Sequence, residues 1–323
     1  MRIIFIFLLI LSFSFCDQNN TKPSLKRMIG QMIVVGFDAT SVHSKEFKQL
    51  LKDLSYGRIG GIILLEKNFQ DKEQLLTLIN KIRHISTTLP PFLGIDEKTI
   101  YKLNSNYIGY DMLENMAINS KPVKTLYSNI ANDIKSYSIN LNLAPNVNTK
   151  NKILENNQIS AYANEFIDIF TQKNIIPVMK YFPSNDSAKI YDYSDLKVYF
   201  DMISQRKIDI IMSSSAKFSN LDPNNEAYFS DIILDGILRK ELGFNGVIMS
   251  DDLLKTGNIT QSIIKSIIAG NDIVFVSSNL HNNKSLANEM VNAINKAVIN
   301  GKISSKQIES SYLRIKKLKE KLR

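Results

Sequence analysis

Three stretches of this chain carry an apolar run that ends on charged side chains, and these are the places where chemistry can be sought. The first is Gly246-Val247-Ile248-Met249-Ser250-Asp251-Asp252-Leu253. Successive side chains of a strand point to opposite faces, so Asp251 and Asp252 cannot both look into one site. One carboxylate would act as nucleophile or substrate ligand while the other binds backbone amides of the following helix. Two helix caps fit the same residues, because Asp is favoured at helix N-termini. The second stretch is Phe92-Leu93-Gly94-Ile95-Asp96-Glu97. A carboxylate here could clamp sugar hydroxyls or hold a metal, or it could pair with Lys98 or Lys102. The third is Val178-Met179-Lys180-Tyr181-Phe182-Pro183, which leads into a polar loop reaching Asp195. Its lysine could donate to substrate oxygens, form a Schiff base or reach solvent.

The elements that must hold these side chains follow from hydrophobic patterning. Eight short apolar runs read as buried parallel strands: Met32–Phe37, Gly61–Leu65, Phe92–Ile95, Ile139–Ala144, Ile175–Lys180, Ile208–Ser213, Gly246–Ser250 and Asp272–Val276. Their starts lie 26 to 47 residues apart, room for a strand, a helix and two loops. Between them the spacing turns helical. Phe47, Leu50, Leu51 and Leu54 form one stripe, and Leu75, Leu76, Ile79 and Ile82 another. Asp231–Leu242 continues the pattern and stops at Gly243. Eightfold strand–helix alternation predicts an α/β fold, a single (β/α)8 TIM-like barrel with the last helix, Ser304–Leu322, packed outside. An open doubly wound sheet would advertise a glycine-rich phosphate loop after its first strand, and Gly36-Phe37-Asp38-Ala39-Thr40 is not one. Leu103–Lys121 lacks periodicity and is expected to be an excursion after strand three. Barrel chemistry sits at the C-terminal strand ends. That rule adds Asp38, Glu66, Asn146, Asn148, the serines Ser213 to Ser215, Ser277 and Ser278 to the candidates.

Composition narrows the partners. The 323 residues are 44% hydrophobic and 22% charged, ordinary for a globular protein, so disordered and coiled-coil readings are excluded. The net charge of +9 comes from scattered lysines, and the only dense run, Lys316 to Arg323, reads as a solvated helix face. No nucleic-acid partner is expected. One cysteine forbids an intrachain disulfide, no metal-ligand cluster is visible, and no cofactor is implied. Arg2 followed by apolar Ile3 to Leu11 is too short to span a bilayer and fits a secretory signal peptide over residues 1–16, leaving 17–323 as the barrel domain. Cys16 stands where a bacterial lipoprotein carries its lipid, although Phe15 replaces the usual small residue. Lipidation and simple cleavage both fit. Either way the chain is expected to be exported, periplasmic or lipid-anchored at Cys16, and monomeric.

Taken in order, Ile29-Gly30-Gln31-Met32-Ile33-Val34-Val35-Gly36-Phe37, Gly60-Gly61-Ile62-Ile63-Leu64, Ile95-Asp96, Ile139-Asn140-Leu141-Asn142-Leu143-Ala144-Pro145, Lys180-Tyr181-Phe182-Pro183, Leu221-Asp222-Pro223, Leu238 to Leu253 and Ala269-Gly270-Asn271-Asp272 resemble the family 3 glycoside hydrolases. The likeness is closest to the single-domain bacterial β-N-acetylglucosaminidases that act on peptidoglycan fragments, and it runs from about Ser24 to Leu318. The resemblance implies a carbohydrate substrate containing N-acetylglucosamine and a retaining reaction. Asp251 matches the nucleophile that forms a covalent glycosyl-enzyme. Asp96 and Lys180 match residues that bind the sugar, and Tyr181 is assigned beside them.

The departures from the family are as informative. Its Lys-His-Phe-Pro-Gly-His-Gly reads here Lys180-Tyr181-Phe182-Pro183-Ser184-Asn185-Asp186, and its Asp-x-His pair reads Asp192-Tyr193-Ser194, so the acid/base histidine is missing. The histidine expected after strand six falls at Ser214 or Ser215, and the substrate-binding arginine after strand three is absent. The three histidines present, His43, His84 and His281, are expected at the surface. General acid catalysis contributes about 10²–10⁴-fold. Asp186, Asp192 or Asp195 could supply it, with Asp192 the candidate catalytic acid. Two functions fit: a retaining β-N-acetylhexosaminidase with a degraded acid/base loop, or an inactive barrel that binds cell-wall sugars or serves as an envelope scaffold.

Overall fold

The computed structural model describes residues 23–104, 121–148, 155–186 and 192–322. The signal segment with Cys16, and most of the Leu103–Lys121 excursion, lie outside them. Eight parallel strands close into a barrel in sequence order: β1 Ile33–Val35, β2 Gly61–Leu64, β3 Phe92–Ile95, β4 Leu141–Asn142, β5 Ile176–Phe182, β6 Ile210–Ser213, β7 Val247–Asp252 and β8 Ile273–Val276. Strand β1 closes the ring on β8 with Ile33 opposite Val274 and Val35 opposite Val276. The strands are apolar on both faces because one face fills the barrel and the other meets the helices, and their hydrophobic side chains are buried apart from half-buried Tyr181. The eight-stranded (β/α)8 architecture is the one that the alternation predicts. Strand β4 is shorter than its apolar run because only two residues pair regularly. Asn140 and Leu143 still donate to Leu93 and Ile95 at 3.0 Å on either side.

The helices are α1 Leu25–Gln31, α2 Lys45–Ser55, α3 Lys72–Arg83, α4 Glu97–Leu103, α5 Lys121–Ser136, α6 Asn156–Gln172, α7 Lys197–Ser204, α8 Ile232–Glu241, α9 Ile259–Ala269, α10 Leu286–Ile299 and α11 Ser305–Glu320. Most begin where a short polar side chain caps them. Ser44, Asp71, Asn258, Ser285 and Ser304 each accept from the amide three residues on. In α3 the buried face is Leu75, Leu78, Ile79 and Ile82, while Leu76 is exposed. The stripe therefore keeps Leu75, Ile79 and Ile82 of the one that spacing suggested and takes Leu78 in place of Leu76. Helix α8 is wound with i to i−5 spacing, and Gly243 follows it at φ +70°, where a side chain would be strained.

The C-terminal helix α11 packs outside the barrel, as expected, but its charged run is not all solvated. Lys319 is fully buried, donating to Gly60 O at 2.5 Å and Gln31 Oε1 at 2.7 Å, with its ammonium 4.6 Å from the Phe92 ring centre. The reason is register: Ile308, Ser311, Ile315, Leu318 and Lys319 share the face that turns inward. Buried Asp272 accepts from Arg239 at 2.5 Å, Arg314 at 2.9 Å, Ser311 at 2.7 Å and the Ile248 amide at 2.9 Å. This joint fastens α8, β7 and α11 at the start of β8.

Candidate active site

Strand β7 runs through both aspartates, and its C-terminal end lines a polar cavity. The two carboxylates have different partners. Asp252 Oδ1 accepts from the Leu254 amide at 3.0 Å and from the Ser277 amide at 2.9 Å, capping the 3₁₀ turn Leu253–Thr256 and tying it to the exit of β8. Asp251 Oδ1 accepts from the Asp252 amide at 2.8 Å, and its Oδ2 accepts from Ser215 Oγ, also at 2.8 Å. Burial holds the Asp251 carboxyl above the usual carboxylate range. The Asp252 amide and Ser215 hydroxyl pull it back, the Asp252 charge pushes it up, and the Lys180 charge pulls it down. A part-buried, doubly hydrogen-bonded carboxylate beside a lysine can act as an oriented nucleophile.

Lys180 is buried in β5 and lies 5.3 Å from the ring centre of Tyr181. The segment leaving β4 fixes both. Lys180 N donates to Pro145 O at 2.9 Å, Val147 N donates to Lys180 O at 2.8 Å, and Tyr181 N donates to Asn148 Oδ1 at 2.6 Å. The Tyr199 hydroxyl closes the other side on Tyr181 O at 2.5 Å. Asn148 is thus a positioning residue for the lysine strand.

Asp96 stands at the end of β3 and caps α4. Its Oδ1 accepts from the Thr99 amide at 2.9 Å and from the Thr99 hydroxyl. Lys102 pairs instead with Glu66 at 3.5 Å, and Asp38 pairs with Lys67. Asp192 is exposed, and its Oδ1 accepts from the Ser194 amide at 2.8 Å at the entrance of the turn Tyr193–Leu196. His43, His84 and His281 are all exposed.

The cavity measures about 390 Å³ and is lined by Asp251, Asp252 and Ser215 together with Glu226, Tyr228, Phe229 and the start of α9. Among the described residues, Asp96, Lys180, Tyr181 and Asp192 do not line it. Asp251 therefore joins two groups: Lys180, which acts on it electrostatically, and the cavity. Ser215 is among the strand-end candidates, but Glu226 carries no role in a reading by spacing, because the long loop after β6 has no period. The serine run at the end of β6 is the only local signal. Among the described residues no cluster of three or more metal-ligating side chains occurs, and no helix is long and apolar enough to cross a membrane.

With this geometry in hand, the chain can be set beside known proteins. A family model described as the glycosyl hydrolase family 3 N-terminal domain matches residues 24–318. A β-hexosaminidase of Shewanella frigidimarina (strain NCIMB 400) is 25% identical over 260 residues, covering 69% of this chain and 76% of the relative. Among solved structures, a β-N-acetylhexosaminidase from Beutenbergia cavernae DSM 12333 superposes with a TM-score of 0.76 at 20% identity, covering 93% of this chain and 100% of that one. A fungal multi-domain β-N-acetylglucosaminidase superposes with a TM-score of 0.79 at 17% identity and 92% coverage of this chain. The chain spans 39% of that larger protein. The two superpositions speak for the barrel, and the family match reaches from α1 to α11.

Proposed function

The chain belongs to glycosyl hydrolase family 3, and on that premise we propose that it is a retaining β-N-acetylhexosaminidase that removes terminal β-linked N-acetylglucosamine from envelope glycan, with Asp251 as nucleophile. The observation that supports this reading most is the setting of Asp251: held by one amide and one hydroxyl, influenced by Lys180, and opening on a polar cavity.

The chemistry follows from that setting. Each Asp251 oxygen holds a single donor and keeps acceptor capacity for an electrophile. One oxygen attacks the anomeric carbon as the glycosidic bond breaks, giving a covalent glycosyl-enzyme that water then hydrolyses with overall retention. Asp96, Lys180 and Tyr181 are assigned to the outer hydroxyls of the sugar in the −1 position. A leaving sugar needs a proton, and no histidine stands in the loop after β5 to give it. By its place in the sequence Asp192 is a candidate donor, and Asp192→Asn tests that assignment. The same reading makes the mature protein an exported monomer, and Arg2 with the apolar run Ile3 to Leu11 supports the export. Membrane fractionation of wild type against Cys16→Ser decides between a lipid anchor and simple cleavage.

The decisive experiment is hydrolysis of an aryl β-N-acetylglucosaminide, whose leaving group needs little protonation, by wild type and Asp251→Asn. Turnover by wild type that Asp251→Asn loses is the expected result. Equal background in both proteins removes the enzymatic reading, and N-acetylglucosamine binding without turnover would then mark a sugar-binding barrel.

A further inference from the structure

The loop between β6 and α8 brings a third carboxylate into the cavity that Asp251 and Asp252 line. Glu226 and Asp251 line the same space of about 390 Å³. Local hydrogen bonds fix the position of Glu226. Ala227 N donates to Ala216 O at 2.9 Å, Tyr228 N donates to Ser214 O at 2.9 Å, and Glu226 pairs antiparallel with Lys217. Between Ser214 and Ala216 lies Ser215, whose hydroxyl is on Asp251 Oδ2. The two carboxylates are therefore connected through one serine and one short backbone ladder.

The Glu226 side chain is uncommitted. It occupies the cap position of the 3₁₀ turn Ala227–Phe229, yet its carboxylate makes no capping bond, and among the described residues it takes no hydrogen bond or ion pair. The charged or titratable groups around the cavity are Asp251, Asp252, Tyr228, Lys255 and Lys265. Burial, together with the charges of Glu226, Asp251 and Asp252, pushes the Tyr228 phenol up to about 12, so all three carboxylates act on one hydroxyl.

We propose that Glu226 is the general acid and base of the reaction assigned to Asp251, taking the place of the missing histidine from a different loop. The inference rests on the glycosidase reading given above. In the first step Asp251 bonds to the anomeric carbon, the bond from that carbon to the leaving oxygen breaks, and the Glu226 carboxyl proton passes to that oxygen. In the second step the Glu226 carboxylate takes a proton from water, the water oxygen bonds to the anomeric carbon, and the bond to Asp251 breaks. Both carboxyl groups return to their starting states.

Glu226→Gln and Asp192→Asn, measured on a natural N-acetylglucosamine disaccharide and on a 2,4-dinitrophenyl glycoside, test this with azide as an added nucleophile. Glu226→Gln is expected to lose about 10²–10⁴-fold on the disaccharide. It should keep the bond-breaking step on the dinitrophenyl substrate, lose the basic limb of its pH profile, and form a β-glycosyl azide that wild type does not. That product shows the variant is folded and the nucleophile intact, which a structural role for Glu226 would not produce. The proposal is overturned if Glu226→Gln hydrolyses the disaccharide within threefold of wild type, if both substrates are lost without azide rescue, or if Asp192→Asn gives the azide product instead. A wild type inactive on both substrates overturns the glycosidase reading and this inference with it. Loss in Asp251→Asn without loss in Glu226→Gln overturns this inference alone.

Discussion

Asp251 has to be ionised to attack and yet sits where burial opposes ionisation. Two donors, the Asp252 amide and Ser215 Oγ, offset part of that penalty, while burial still holds the carboxyl above its ordinary range. Removing the hydroxyl therefore has a definite direction. In Ser215→Ala the Asp251 carboxyl rises further, so the acid limb of kcat/KM moves to higher pH, by about one unit if the bond contributes the usual 1.5 kcal/mol of a charged hydrogen bond. A pH–rate profile on the aryl substrate reads it. An acid limb that does not move would mean that Ser215 holds the backbone and not the charge. Asp252 works in the opposite sense, as structure. Asp252→Ala gives up the cap on Leu254 and the tie to Ser277, a loss of about 1 kcal/mol or more that urea melts would show.

Among the elements, the joint at Asp272 ties α11 to α8 and the barrel. Two arginines, a serine and an amide converge on its buried carboxylate. Asp272→Ala leaves both guanidinium groups with no counter-charge there, and removing one partner of a buried pair costs about 3–5 kcal/mol. The midpoint of denaturant unfolding should fall accordingly. Asp272→Asn, which keeps the shape, should recover part of the loss. This element-scale design was half legible: Leu238 to Gly246 and Ala269 to Asp272 stood out as motifs, and Gly243 marked the end of α8. That Asp272 and Arg239 meet was not legible, because their contact crosses from α8 to β8, and periodicity reports only the face a residue takes.

At the scale of the whole molecule, Lys319 couples the end of the chain to the barrel wall. Burial lowers its amine from 10.5 to about 7, while Gly60 O and Gln31 Oε1 accept from it. Between those two values the unfolded chain binds a proton that the folded chain does not. Stability must then rise as pH increases through about 7 to 10, and the full penalty stands below that window. Lys319→Met removes this dependence. The difference in unfolding free energy between wild type and variant should therefore change with pH across that window and level off below it. A difference that is flat from pH 6 to 10 would show that the amine keeps its ordinary value.

The amino-acid sequence by itself determined the barrel, its eight strands to within a few residues, the outer C-terminal helix and the strand-end identity of Asp96, Lys180 and Asp251. Those features are written in unbroken apolar runs, in the 3.6-residue spacing between them and in where the runs stop, and each is local. Only the tertiary structure decided that Ser215 donates to Asp251, that Glu226 enters its cavity and that Lys319 is buried within a basic run. Each of these depends on a contact between segments distant in sequence or on how a loop without period is pinned, and hydrogen bonds across such gaps leave no trace in spacing.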